Sequence, residues 1–195
     1  MLNIKQEIRI LGFDDGPFIP RSKGKVPVIG VVFRGGNFLD GILKTDVSID
    51  GIDATDILKG IINKSRHKKQ LRVIMLKGIT IGGFNIIDIS QLYEKTDLPV
   101  IVVNRKMPNL KEIKSALKNL DDFEFRWQCI EKAGKIYKMK IEKNKNIYFQ
   151  FKGLQKEEAK RIIKLSCTRS LIPEPLRVAH LIASALVKGE SEGRA

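Results

Sequence analysis

A chain of 195 residues, 43% hydrophobic and 30% charged, can bury one sizeable core but is short for two ordinary domains, and its composition excludes a disordered polypeptide. Lys and Arg outnumber Asp and Glu by 36 to 22, a formal net charge of +14, so the surface suits a polyanion; nucleic acid, DNA or RNA, is the expected partner. No run approaches the roughly 18 apolar residues of a membrane span, the opening MLNIKQEIRIL is too charged for a signal peptide, and the expected compartment is the cytoplasm. The two cysteines, Cys129 and Cys167, have no CxxC or Cys/His spacing, which points away from structural zinc and from a disulfide framework.

Ile4 to Asp14 is predicted as a first strand and Val26 to Arg34 as a second, with the polar loop Pro20 to Lys25 between them. The turn RGGN at Arg34 to Asn37 feeds a third, Phe38 to Ile49, so an antiparallel meander is expected. From Asp53, the expected N-cap, the pattern becomes helical, with Ile57, Leu58, Ile61 and Ile62 on one face. LRVIML (Leu71 to Leu76) and PVIVV (Pro99 to Val103) are short apolar runs of the kind buried on both faces of a parallel sheet. The second half of the segment between them is predicted as a helix.

Beyond Asn104 the pattern predicts helices from about Leu110 to Leu120 and around Arg126 to Ala133. A hairpin follows at Lys135 and Asn146, with Lys143 and Lys145 in its tip EKNKN, and then the helices LQKEEAKRIIKLS and LRVAHLIASALVKG. Residues 1–188 are expected to form one domain and 189–195 a frayed tail. The order βββαβαβ, then an insertion, then helices, is that of the ribonuclease H-like fold: an α/β mixed sheet of three antiparallel strands followed by parallel strands with crossover helices. In that arrangement carboxylates at the ends of the first and fourth strands converge on metal ions.

The segment RILGFDDGPF ends the first strand on two carboxylates, Asp14 and Asp15. Successive side chains of a strand point to opposite faces, so only one of them can face a given site. Asp14 is the candidate and Asp15 the turn residue. In SIDGIDATD, capping accounts for Asp53 and leaves Asp50 unexplained. Mg²⁺ takes one or two protein carboxylates together with substrate phosphate, so Asp14 and Asp50 are the candidate catalytic and metal-holding pair. The stretch LKGITIGGFNIID contains neither GK[ST] nor GxGxxG, which assigns its glycines to close backbone packing and Asp88 to a helix cap.

Arg177, His180 and Ser184 form a polar stripe on the last helix; Ser166 or Cys167 with His180 lacks the spacing to argue a nucleophile. Tyr137, Tyr148, Phe149 and Phe151 among lysines suit either stacking on bases or a strand core.

Together, RILGFDDGPF, SIDGIDATD, GITIGGFNIIDI and TRSLIPEPLRVAHLIASALVKGESEGR resemble the endonuclease dU family over nearly the whole chain. That family in turn resembles endonuclease V, a ribonuclease H-like, Mg²⁺-dependent nuclease acting on strands that contain deaminated bases. Gly12, Phe13 and Asp14 match its Gly-apolar-Asp strand motif, Pro173 to Arg177 match its Pro-Glu-Pro-x-Arg, and Asp50 falls where it carries Glu. The resemblance implies a Mg²⁺-dependent endonuclease built on Asp14 and Asp50, with Lys77, Arg177 and His180 on the substrate side.

The chain departs from endonuclease V at two acids and in having no counterpart, before Asp50, of the Pro-Tyr wedge that pries a base out of the stack, which leaves base flipping unsupported. Lys77 and Gly78 stand where endonuclease V has Asp-Gly at the end of the fourth strand, and its acid before the penultimate helix falls near Lys152 or Gly153. An ammonium paired with Asp14 repels Mg²⁺ and can take its place. The second expectation is therefore a non-catalytic nucleic-acid-binding module in which Lys77 contacts a phosphate.

Overall fold

Three antiparallel strands, β1 (Arg9–Asp15), β2 (Lys25–Arg34) and β3 (Phe38–Ser48), open the chain as the expected meander. These and all later statements refer to residues 3–142 and 145–192 of a computed structural model; Lys143 in the hairpin tip and residues 193–195 of the tail lie outside the described residues. Helix α1 (Ala54–Lys64) carries the chain to β4 (Val73–Lys77), which pairs parallel to β1. A small ribbon, β5 (Thr80–Ile81) and β6 (Asn85–Ile86), then leads through α2 (Ile89–Thr96) to β7 (Val100–Asn104), parallel to β4. Both parallel strands are continuous apolar runs because helices cover both sides of the sheet.

After α3 (Leu110–Leu117) and α4 (Phe123–Lys132) come β8 (Tyr137–Glu142) and β9 (Lys145–Lys152). The hairpin expected as an insertion is part of the main sheet: β9 pairs antiparallel with β7, Val100 opposite Lys152 and Asn104 opposite Tyr148. The strand order is β3-β2-β1-β4-β7-β9-β8. Alternation explains the capture of β9, since Ile147 and Phe149 are buried in the core and carry the strand in with them. The rings of Tyr137, Phe149 and Phe151 lie 5.6–6.1 Å apart and pack on each other, so they serve the core.

Two last helices, α5 (Lys156–Ser166) and α6 (Glu174–Lys188), cover one face of the sheet. Ile10, Val73, Met75, Ile101 and Phe149 meet Ile162 and Leu176 there. On the other face Leu11, Phe13, Ile74 and Leu76 meet Leu58, Ile62 and Leu92 of α1 and α2. Strand parity thus sends Asp14 toward α6 and Asp15 toward α1 and α2. The tail starts ordered: the N–H of Glu192 donates to Ser184 Oγ at 3.1 Å, and Lys188 pairs with Glu192.

Helix α6 begins at Glu174, with prolines at its first turn, where a missing N–H leaves no bond unmade. That turn lies directly on β1, because a Cβ on Gly12 would come within 2.6–2.8 Å of the Cβ, C and O atoms of Pro175. Gly12→Ala is therefore expected to push α6 off β1 and to lower stability by about 1–3 kcal/mol, measured by urea unfolding. An unchanged midpoint would contradict this close approach.

Candidate functional site

Asp14 ends β1 on the α6 side and is 5% exposed. A carboxylate this buried needs a partner, and two elements supply one. Lys77, the last residue of β4, donates from Nζ to Asp14 Oδ2 at 2.9 Å, and His180 of α6 places Nδ1 2.9 Å from the same oxygen. Lys77 Nζ and His180 Nδ1 are 3.1 Å apart. The tautomer decides the roles at Nδ1: with the proton there, it donates to Asp14 Oδ2. His180 Nε2 is buried without a partner, although the His180 side chain as a whole is 20% exposed and that of Lys77 26%, against 6% for Asp14.

From Lys77 a cavity of about 800 Å³ opens between the ends of β4 and β7 and the start of β9. Arg105, Lys106 and Lys145 line it with Lys77, and among the described residues no carboxylate does. This crevice lies at the carboxyl ends of parallel strands, where open α/β sheets take their ligands.

Asp15 turns to the other face, where Oδ2 accepts the Gly82 N–H at 2.7 Å. Burial, with the charge of Asp14 beside it, pushes its pKa up from 3.8 to about 6. A carboxyl whose folded pKa exceeds its unfolded one favours folding while protonated, so this contribution is full below about pH 4 and is lost as pH rises through about 6. Asp15→Asn is expected to flatten stability between pH 4 and 6 and to gain about 2–3 kcal/mol at pH 7, measured by denaturation across pH. An unaltered pH slope would contradict it.

Asp50 sits in the turn after β3 at a φ of 51°. Its N–H donates to the Gly82 carbonyl and its Oδ1 accepts the Phe84 N–H, both at 2.8 Å. Gly83, at a φ of 85°, has no room for a side chain, because a Cβ there would run into the Asp50 carboxylate. The same turn is clamped by Arg126 of α4, which is 3% exposed. Its guanidinium donates to the carbonyls of Asp50 at 2.7 Å, Gly51 at 2.8 Å, Phe84 at 2.6 Å and Asp121 at 3.0 Å.

Asp53 is the N-cap residue of α1, as expected, but its side chain makes no capping bond; the carboxylate accepts from the backbone N–H and Oγ of Ser48 and from the side-chain amide of Asn85. Those bonds hold its pKa below the ordinary carboxylate value despite opposing burial. Asp88 does cap α2, accepting from the N–H groups of Ser90 and Gln91 at 2.9 Å. Arg126 and Asn85 escaped the sequence reading, since apart from Asp121 their partners lie more than 30 residues away and no local pattern marks them.

The structure thus brings Asp14, Lys77 and His180 together and sets Asp50 apart: Asp50 shares the Gly82 to Phe84 loop with Asp15, not with Asp14. Arg177 is elsewhere too. It pairs with the buried Glu174 at 2.7–3.0 Å and lines a second cavity, of about 660 Å³, beside Phe33 and the turn residues Gly36 and Asn37. Among the described residues no three His, Cys, Asp or Glu side chains gather to hold a metal.

The donors also do not fit a Mg²⁺ ion between Asp14 and Asp50. Asp14 Oδ2 already carries an ammonium and an imidazole, and Asp50 Oδ1 carries a backbone N–H. Nucleophilic chemistry fares no better: burial pushes the Cys167 thiol up to about 12 and the Cys129 thiol up to about 11, and Ser166 Oγ donates back to the carbonyls of Ile162 and Ile163.

The model of the endonuclease dU family matches residues 6–187. A UPF0215 protein of Methanothermobacter thermautotrophicus is 53% identical over 193 residues, covering 98% of this chain and 94% of its own. A crystal structure of a protein of unknown function from Archaeoglobus fulgidus superposes with a TM-score of 0.84 at 42% identity, covering 93% of this chain and 99% of that one. Endonuclease V of Ciona intestinalis, in complex with a 24mer DNA containing an inosine followed by a ribo-adenosine, superposes with a TM-score of 0.63 at 15% identity, covering 93% and 87%. At that identity the likeness shows the fold, which is ribonuclease H-like.

Proposed function

The chain belongs to the endonuclease dU family, and from that footing we propose that it acts on nucleic acid by seating a backbone phosphate on the Lys77 ammonium, which stands in place of a metal ion. The observation that carries this reading is the Lys77 Nζ to Asp14 Oδ2 contact of 2.9 Å at the end of two central strands. An ammonium has three N–H donors, so the bond to Asp14 fixes it and leaves donors for phosphate oxygens. Arg105, Lys106 and Lys145 along the adjoining cavity, and the net charge of +14, supply the field that draws a polyanion in.

Asp14 orients the ammonium, and His180 braces Asp14 from α6. The family's name and the fold it shares with endonuclease V support nucleic acid as the ligand. A Mg²⁺-dependent endonuclease acting on deaminated bases through Asp14 and Asp50 is the rival reading, and the donor set disfavours it.

Fluorescence anisotropy with labelled DNA and RNA oligonucleotides in EDTA, over a range of salt, tests the proposal. Affinity is expected without added metal, falling steeply as salt rises because each phosphate contact releases counterions. No binding even at the lowest salt would overturn it.

A further inference from the structure

We propose that the sheet face around Tyr148 is a stacking platform for single-stranded nucleic acid, on which a base of the strand held at Lys77 lies against the Tyr148 ring; this step rests on the function proposed above. Four aromatic residues stand among lysines in the hairpin of β8 and β9. Tyr137, Phe149 and Phe151 turn to the side of α5 and α6 and pack there on each other and on the core. Tyr148 faces the other way by strand alternation, is half-buried, and belongs to none of the hydrophobic clusters among the described residues. Core packing thus accounts for three of the rings and leaves the fourth.

The sheet register ties that ring to the site. Lys77 lies opposite Val103 of β7 and Val103 opposite Phe149 of β9, so the next row across the sheet runs Asn104, Tyr148, Lys138. Opposed residues of antiparallel strands share a face with Cβ atoms about 4.5–5.5 Å apart, which sets the Tyr148 side chain between those of Asn104 and Lys138. Asn104 also lines the cavity that opens from Lys77, as does Asn146, two residues before Tyr148 and on the same face. Val103 and Ile147 line it from the α6 side, so the cavity wraps round the end of the sheet and reaches the face of Tyr148. Two strand spacings, about 10 Å, separate Tyr148 from the line of β4. About three nucleotides at stacked spacing cross that gap.

The charges beside the ring select the partner. Lys138 and Lys140 are exposed on the Tyr148 face, Lys140 opposite Asn146. From Lys135 to Tyr148 the sequence holds five lysines and one carboxylate, Glu142, which pairs with Lys145 at 3.0 Å. A ring with cations alongside offers a base a flat apolar surface and offers its phosphate a counter-charge, which is how sheet faces hold single strands. A duplex keeps its bases stacked on one another and has no base face to give, so it meets this site through phosphates alone. Tyr148 therefore adds affinity for single strands only.

The test measures anisotropy of the full chain, in EDTA at low salt, with three end-labelled oligonucleotides of one length: a single strand, the same strand with its central bases removed, and a duplex. The wild-type protein is expected to bind the intact strand about tenfold tighter than the abasic one. Tyr148→Ala should lose that tenfold on the intact strand and nothing on the abasic strand or the duplex, whereas Tyr148→Phe keeps it. Tyr148→Leu, which retains apolar bulk in the strand without a ring, should lose most of it as well and serves where Tyr148→Ala does not fold. Equal wild-type affinity for the intact and abasic strands, or losses in Tyr148→Leu that are equal on all three oligonucleotides, would overturn the platform and leave the phosphate site standing. No binding of any of them by the wild type would overturn the phosphate site, and the platform with it.

Discussion

Lys77→Met is expected to cost about 2–4 kcal/mol of stability and to weaken nucleic-acid binding about 10-fold to 100-fold. The first effect follows from Asp14, which is 5% exposed and loses the ammonium while the His180 imidazole stays beside it. Removing one partner of a buried pair leaves the other uncompensated, at a cost larger than the pair's net worth. The second follows from the loss of a charge-assisted bond to phosphate. The two separate in the double variant Asp14→Leu/Lys77→Met, which removes both charges: stability should recover much of its loss while affinity stays low. Urea unfolding and oligonucleotide anisotropy read them independently. Wild-type affinity in Lys77→Met would remove Lys77 from the site.

Arg126→Ala is expected to destabilise the chain by about 3–5 kcal/mol, the largest effect among substitutions outside the Asp14 cluster. Four backbone carbonyls, of Asp50, Gly51, Phe84 and Asp121, lose a charged donor at once, and those in the turn after β3 have no water to replace it at a residue 3% exposed. Arg126→Lys should rescue little, because a single ammonium cannot fork to carbonyls from three separate segments. Urea unfolding reads the loss, and hydrogen exchange should show the amides of Asp50 and Phe84, bonded across this loop, losing protection first. A loss below about 1 kcal/mol would mean that the guanidinium does not hold the loop.

The clamp also explains which parts of the site the sequence revealed. The meander, β4 and β7 were legible because hydrophobic pattern alone specifies them, and parity along RILGFDD was enough to separate Asp14 from Asp15. Lys77 was legible as well, since a lysine closing a buried strand has to emerge at the strand's end. The side-chain partners of Asp50 and Asp53 were illegible for one reason. Carboxylates next to a helix start resemble a cap or a ligand in sequence, but their partners, Phe84 and Asn85, arrive from more than 30 residues downstream.

The surroundings of Arg177 were hidden on similar grounds. Its motif places it on the same helix as His180, but three residues of rise turn it toward Glu174 and the β2–β3 turn. The hairpin taken as an insertion shows the same limit from the other side: β9 alternates like any edge strand, and only pairing with β7 makes it part of the sheet. His180 was visible only as part of a polar stripe, and its contact with Asp14 depends on Gly12 letting α6 settle onto β1.

The account stands on Lys77 occupying the place of a divalent ion, and a single comparison tests this most directly: oligonucleotides containing uracil or hypoxanthine, incubated with wild type, Asp14→Asn and Lys77→Asp in EDTA and in Mg²⁺ or Mn²⁺. Wild-type binding should be the same with and without metal, with cutting that needs metal, if any appears, confined to Lys77→Asp. Metal-dependent cutting by the wild type that Asp14→Asn abolishes would contradict it.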